Sequence, residues 1–333
     1  MSDSGKGPPS LRVLYLPSPD PNFSSIPDDA VRLAFERSNR HELIFFDHTV
    51  ELEPQFENVD VVIDMGGSVG TRRMLHAATS ARLWQVLGYG LDHFDLKYWA
   101  SHGMVTAHCP GPNSAVALAE FAMMQMLMLA RRYPEARACA DRQIWSSPFG
   151  MELEDRVLGL VGFGASARAL TTRALAFDMR IMAIEKEAVS GADVERYRLE
   201  FIAGPERLHE MLPNVDFVSM HLPLNNETRH ILDADALALL PTSAHVINVA
   251  RGALVDEGAL VTALLEGRLA GAGLDVFGEE PLPLSSPLYG LPNVILTPHV
   301  SGGTDGTFQR RAFTAVENCD RVARGEEPLH RVI

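Results

Sequence analysis

The feature that most constrains this chain is a repeated alternation of short apolar runs with amphipathic stretches. "LRVLYL" (11–16), "ELIFFD" (42–47), "VDVVIDM" (59–65) and "MVTAHC" (104–109) have the composition of strands. "DDAVRLAFERS", "TRRMLHAATSA" and "FDLKYWASHG" lie between or around them with helical spacing. After a long apolar helix at 113–132 the grammar restarts. "RVLGLVGFG", "MRIMAIE", "FIAG", "VDFVSMHLP", "AHVINVA", "AGAGLDVF" and "NVILTPH" are strand candidates, many apolar on both faces. Runs of that kind belong to parallel sheets covered by helices on both sides. The fold class expected is therefore α/β, with two Rossmann-like or flavodoxin-like domains, parallel sheets and an intervening cleft. The first domain runs from about 1 to 107 and the second from 108 to 299. A last helix around 305–324 is free to return to the first domain.

A chain of 333 residues suits two such domains. Its formal charge of −14, with arginines scattered in pairs such as Arg72-Arg73 and Arg310-Arg311, argues against a nucleic-acid partner, which needs a basic surface. The stretch "AVALAEFAMMQMLMLARR" is interrupted by Glu120 and Gln125 and reads as a buried helix, so no membrane span is expected. The first residues lack a secretory pattern, and Cys109, Cys139 and Cys319 share no metal-ligand spacing. A cytoplasmic protein without a metal site is expected.

"VLGLVGFGASARALTTRAL" places Gly162, Gly164, Ala165 and Ser166 between a strand and a helix. Glycines there let backbone approach a pyrophosphate, and the helix N-terminus offers free N–H groups. The alternative is a tight turn with no ligand. Glu185 ends the next strand about 20 residues on, where a carboxylate accepts from ribose hydroxyls and repels a 2′-phosphate. NAD (NADH) is favoured over NADP, although neighbouring Lys186 offers a cation to a phosphate. Arg251 follows the strand in "INVARG", and His299 ends "NVILTPH". Taken alone, His299 reads first as a packed or solvated residue, and Arg251 as a structural arginine capping carbonyls or pairing with Asp256. Together with the acidic loop "LDVFGEEPLP" (274–283) they put a cation, carboxylates and an imidazole on the edge that carries the glycine turn.

These stretches, with "VDFVSMHLPLNNETRHIL", "GLDVFGEEPL", "GYGLDHFDL" and "AEFAM", resemble the D-isomer-specific 2-hydroxyacid dehydrogenase family, glyoxylate/hydroxypyruvate reductases included, over residues 60 to 305. The resemblance implies an NAD-dependent oxidoreductase interconverting a small 2-keto acid and its D-2-hydroxy acid. It implies that Arg251, Glu280 and His299 are catalytic. It puts Gly162, Gly164, Ala165, Ser166, Glu185, His221, Pro223, Ala250, Arg251, Asp275 and His299 on the cofactor, Asp275 near the nicotinamide carboxamide. Gly66, Gly67, Ser68 and Val69 fall in the substrate loop beside Arg251 and His299. It further implies a substrate domain of 1–107 plus 300–333, an NAD-binding domain of 108–299, and a homodimer through the latter. Asp64 stands where many relatives carry an arginine that serves phosphorylated substrates, and Tyr89 where phosphite dehydrogenases carry lysine. A small unphosphorylated 2-keto acid is thus expected as the partner. Other readings left open are a dinucleotide-sensing protein like the family's corepressors and a dehydrogenase of another small anion such as formate.

Overall fold

The computed structural model describes residues 9–66, 69–91 and 94–333. They form two compact units, one within residues 9–113 with 303–333 and the other of residues 114–302. The changes of unit thus fall a few residues later than the 107 and 300 expected from the sequence.

In the first unit five strands, β1 (Arg12–Leu16), β2 (Glu42–Phe45), β3 (Val61–Asp64), β4 (Leu83–Val86) and β5 (Thr106–Ala107), form a parallel sheet in the order β2-β1-β3-β4-β5. That order reverses between β1 and β3, where doubly wound sheets take ligands at their carboxyl ends. Strand β4 was not among the expected ones. Its "LWQV" is fully buried, and the polar Gln85 is tolerated because Asn318 donates to its Oε1 at 2.6 Å. Asn318 lies on the C-terminal helix Asp305–Ala323, whose Ala312, Ala315 and Cys319 pack with Ala30, Val31 and Phe35 of the helix Ile26–Ser38. Buried Asp320 secures the same helix by accepting from Arg40 at 2.6 Å.

The second unit holds a seven-stranded parallel sheet of β6 (Val157–Val161), β7 (Arg180–Ile184), β8 (Leu199–Ala203), β9 (Phe217–Met220), β10 (His245–Asn248), β11 (Gly271–Leu274) and β12 (Val294–Leu296). Its order is β12-β11-β10-β9-β6-β7-β8, the doubly wound pattern with the reversal between β6 and β9. Every residue of β6, β9, β10 and β11 is buried, which is why these runs are apolar on both faces. The helix Ala115–Ala130 packs on the helix Ala165–Leu175 through small residues, with Ala119, Ala122, Ala167 and Ala174 in one core cluster. A further helix, Tyr133–Asp141, extends past the single long one expected at 113–132. Among the described residues no helix is long and apolar enough to cross a membrane.

Candidate active site

The chemistry-bearing residues of the second unit sit in loops that leave the carboxyl ends of its strands. After β6 the chain turns at Gly162, whose φ is +93°, with the backbone of His221 packed so close that a Cβ would lie 2.7 Å from its carbonyl oxygen. Glycine is required there twice over, by conformation and by space. Gly164 is different. A Cβ on it would meet nothing within 4 Å, so protein packing does not demand a glycine, and the open space lies at the start of a helix with no side-chain cap. Ala165 and Ser166 form the first turn of that helix, where N–H groups have no intrahelical partner. An open, donor-rich helix start of this kind fits a dinucleotide's pyrophosphate.

Glu185, just past β7, faces this turn. Its Oε2 accepts from Phe163 N at 2.6 Å, and its Oε1 from Lys186 N and Glu187 N at 2.9 and 3.2 Å. A carboxylate offers about four acceptor positions, so roughly one remains for a ribose hydroxyl rather than the pair expected. Lys186, the cation that could have welcomed a phosphate, is paired with Glu227 at 2.7 Å. On the other side of the turn, past β9, His221 Nδ1 lies 3.0 Å from Ser166 Oγ, and burial pushes its pKa down to about 4, leaving the ring neutral. Pro223 is exposed nearby, its carbonyl accepting from Thr228.

Arg251 follows β10. Buried Asn248 holds this turn by accepting from Ala250 N at 3.1 Å and donating to the Arg251 carbonyl at 2.9 Å, while the guanidinium donates to the Ala250 carbonyl at 2.7 Å. Asp256 serves as N-cap of the helix Glu257–Leu265, accepting from Ala259 N at 3.0 Å. At Gly252 a Cβ would overlap the backbone of Phe277, so glycine brings the Arg251 turn against the loop after β11.

That loop and the one after β12 carry the remaining groups. Glu280 accepts from Phe277 N at 2.9 Å through Oε1 and from His299 Nδ1 at 2.8 Å through Oε2. Nδ1 therefore carries a proton and Nε2 is directed away from the carboxylate. The two side chains keep 41% and 30% of their surface exposed, so the pair is open to a reactant. His299 has φ +54°, a left-handed conformation uncommon outside glycine. It is imposed by Asp275, which is fully buried: Thr297 Oγ1, Val300 N and Ser301 N donate to its carboxylate at 2.7, 3.0 and 2.8 Å, and His299 N to its carbonyl at 2.8 Å. The Asp275 carboxylate, expected to face a nicotinamide, is thus engaged by the turn that presents His299. Glu279 is exposed.

In the first unit the loop after β3 follows the order reversal. Buried Asp64 accepts from Gly66 N at 3.2 Å, Gly70 N at 2.9 Å and Trp84 Nε1 at 3.4 Å. A Cβ on Gly70 would strike Trp84 and Asp64. The acid in the arginine's place is therefore a loop anchor. Val69 is buried; Gly67 and Ser68 lie outside the described residues. Sequence reasoning passed over Asn248, Ser219 and Thr297. The signal available was a polar residue within or just past an otherwise apolar strand run.

A doubly wound sheet with a glycine turn at its reversal point, and a histidine–carboxylate pair on the same edge, defines a dinucleotide-binding class of α/β protein. The profile of the family described as "D-isomer specific 2-hydroxyacid dehydrogenase, NAD binding domain" matches residues 123–301. A D-3-phosphoglycerate dehydrogenase of Methanocaldococcus jannaschii is 34% identical over 282 residues, 83% of this chain and 52% of that protein, so the chain spans about half of that relative's length. A glyoxylate reductase of Thermofilum pendens is 35% identical over 261 residues, 77% of this chain and 76% of that one. Among solved structures, a D-isomer specific 2-hydroxyacid dehydrogenase from Xanthobacter autotrophicus Py2 in complex with NADPH and MES superposes with a TM-score of 0.76 at 26% identity, covering 97% of this chain and 98% of that one. The chain belongs to the D-isomer specific 2-hydroxyacid dehydrogenase family.

Proposed function

We propose that the protein reduces a small unphosphorylated 2-keto acid to its D-2-hydroxy acid with NADH. The observation that carries this reading is the His299–Glu280 pair at 2.8 Å, held open in a left-handed turn on the sheet edge that bears the glycine turn. When bound, the dihydronicotinamide supplies the hydride that reduces C2. His299 delivers a proton from Nε2 to the oxygen that becomes the hydroxyl, the role of a general acid placed against a developing alkoxide. Glu280 keeps the other ring nitrogen protonated and fixes the plane of the imidazole. Arg251 binds the substrate carboxylate through its planar fork.

For the cofactor we assign Gly162, Gly164, Ala165, Ser166 and Glu185, with His221, Pro223 and Ala250 bordering the same edge. Asp275 presents His299 through its bonds to the following turn, and its remaining acceptor position serves the nicotinamide carboxamide. In the first unit, Gly66 and Val69 belong to the substrate loop that Asp64 anchors. NADH is preferred over NADPH because Glu185 presents a carboxylate to the ribose while Lys186 is already paired with Glu227. The chain works as a homodimer through the second unit, where the helix Tyr133–Asp141 has no buried residue and Trp145 and Phe149 are over 80% exposed. A cytoplasmic setting suits its three free thiols, Cys109, Cys139 and Cys319.

The test is NADH consumption by the purified protein with glyoxylate, hydroxypyruvate, pyruvate and bulkier 2-keto acids, beside a fluorescence titration with NADH and NADPH. Turnover of at least one unphosphorylated acid and tighter binding of NADH are expected. A protein that binds NADH and turns over none of these acids would refute the activity, and tighter NADPH binding would refute the role of Glu185.

A further inference from the structure

A chain of three polar side chains, Ser219, His221 and Ser166, runs from the interior of the second unit to the first turn of the helix Ala165–Leu175. Ser219 Oγ lies 2.9 Å from His221 Nε2, and His221 Nδ1 lies 3.0 Å from Ser166 Oγ. A hydroxyl both donates and accepts, so such a chain can run in either direction. The neutral imidazole carries one ring proton, on Nδ1 or on Nε2.

Ser219 decides which. It is fully buried in β9, and among the described residues its hydroxyl has His221 as its hydrogen-bond partner and no other. If Nε2 carried the proton, Nε2 would donate to Ser219 and the serine's own O–H would be left without an acceptor in the core. Buried donors left unmatched are the costly arrangement, and they are rare. Ser219 therefore donates to Nε2, the ring proton resides on Nδ1, and Nδ1–H donates to Ser166 Oγ. With its oxygen taken as acceptor, the Ser166 hydroxyl has its own proton to spare. Ser166 is the second residue of an uncapped helix beginning at the open space over Gly164.

We propose that Ser219 and His221 act as positioning residues that turn the Ser166 hydroxyl outward as a donor to an anionic pyrophosphate, adding a side-chain hydrogen bond to those of the helix-start amides. The inference rests on the reading that this turn binds NADH. The opposite direction would present an oxygen lone pair to the phosphate and repel it.

Fluorescence titration with NADH, joined to nitrogen-15 NMR of the histidine side chains, tests the proposal on the full chain. Wild type is expected to show the His221 ring, identified by its absence in His221→Gln, neutral from pH 5 to 8 with its proton on Nδ1; buried His245 is expected to stay neutral as well. Ser166→Ala should weaken NADH binding about tenfold, the usual worth of a hydrogen bond to a charged group. Ser219→Ala, which does not touch the ligand, should let the Nε2–H form appear and weaken binding severalfold, and Ser219→Thr should restore both. An Nε2–H tautomer in wild type, or Ser166→Ala binding NADH as wild type does, would overturn the inference while leaving the proposed function standing. Wild type failing to bind NADH would overturn both.

Discussion

The two units carry loops at the carboxyl ends of their parallel sheets, at the point where strand order reverses, yet they hold those loops in opposite ways. In the second unit the glycine turn leaves space open at Gly164 and charged groups exposed, as in the His299–Glu280 pair. In the first unit the loop after β3 folds around a fully buried carboxylate, Asp64, with Gly70 pressed against Trp84. The same topology thus serves two purposes. One edge leaves its polar groups open, and the other turns them on its own backbone. Asp275 shows both habits within one loop system: it is as buried as Asp64 and binds backbone, but the backbone it binds presents the exposed imidazole.

Substitutions at the two edges should therefore separate function from stability. The larger expected effect is at Glu280. Glu280→Gln keeps an acceptor for Phe277 N but removes the charge beside Nδ1, and kcat should fall about 100-fold, within the range for perturbed acid–base groups. The thermal midpoint should stay within a degree or two, because the pair is partly solvated. A drop in midpoint with kcat unchanged would reverse the contrast. The smaller effect is at Asp64. Asp64→Asn puts an amide NH2 among N–H donors in a buried site and should destabilise the protein by about 2 kcal/mol, as for a lost hydrogen bond to a buried charge. Denaturant unfolding measures it, and an unchanged midpoint would mean the loop after β3 does not depend on its buried acid.

Much of this arrangement was legible in the sequence, because its signals are local. Strands buried on both faces are apolar throughout, as in "VLGLV", and the glycine turn falls between such a strand and a helix. Glu280 and His299 stand at the ends of recognisable strand runs, so their pairing across nineteen positions could be anticipated. What escaped depends on partners remote in the chain. Strand β4 contains Gln85, which belongs in a core only because Asn318 meets it from 233 residues away. Asp275 also organises the turn before His299, because its donors, at Thr297, Val300 and Ser301, lie on the next strand's loop. Asp64 read as an arginine replaced, and its role becomes plain once Gly70 and Trp84 are seen beside it.

The central claim is that His299 is the proton donor of a hydride-transfer reaction. It is tested most directly by measuring NADH consumption and NADH affinity for His299→Asn beside wild type, using the best 2-keto acid from the substrate screen. The expected result is a fall in kcat of about two to four orders of magnitude, the usual contribution of a general acid, with the dissociation constant for NADH unchanged. Turnover within a few-fold of wild type would contradict it.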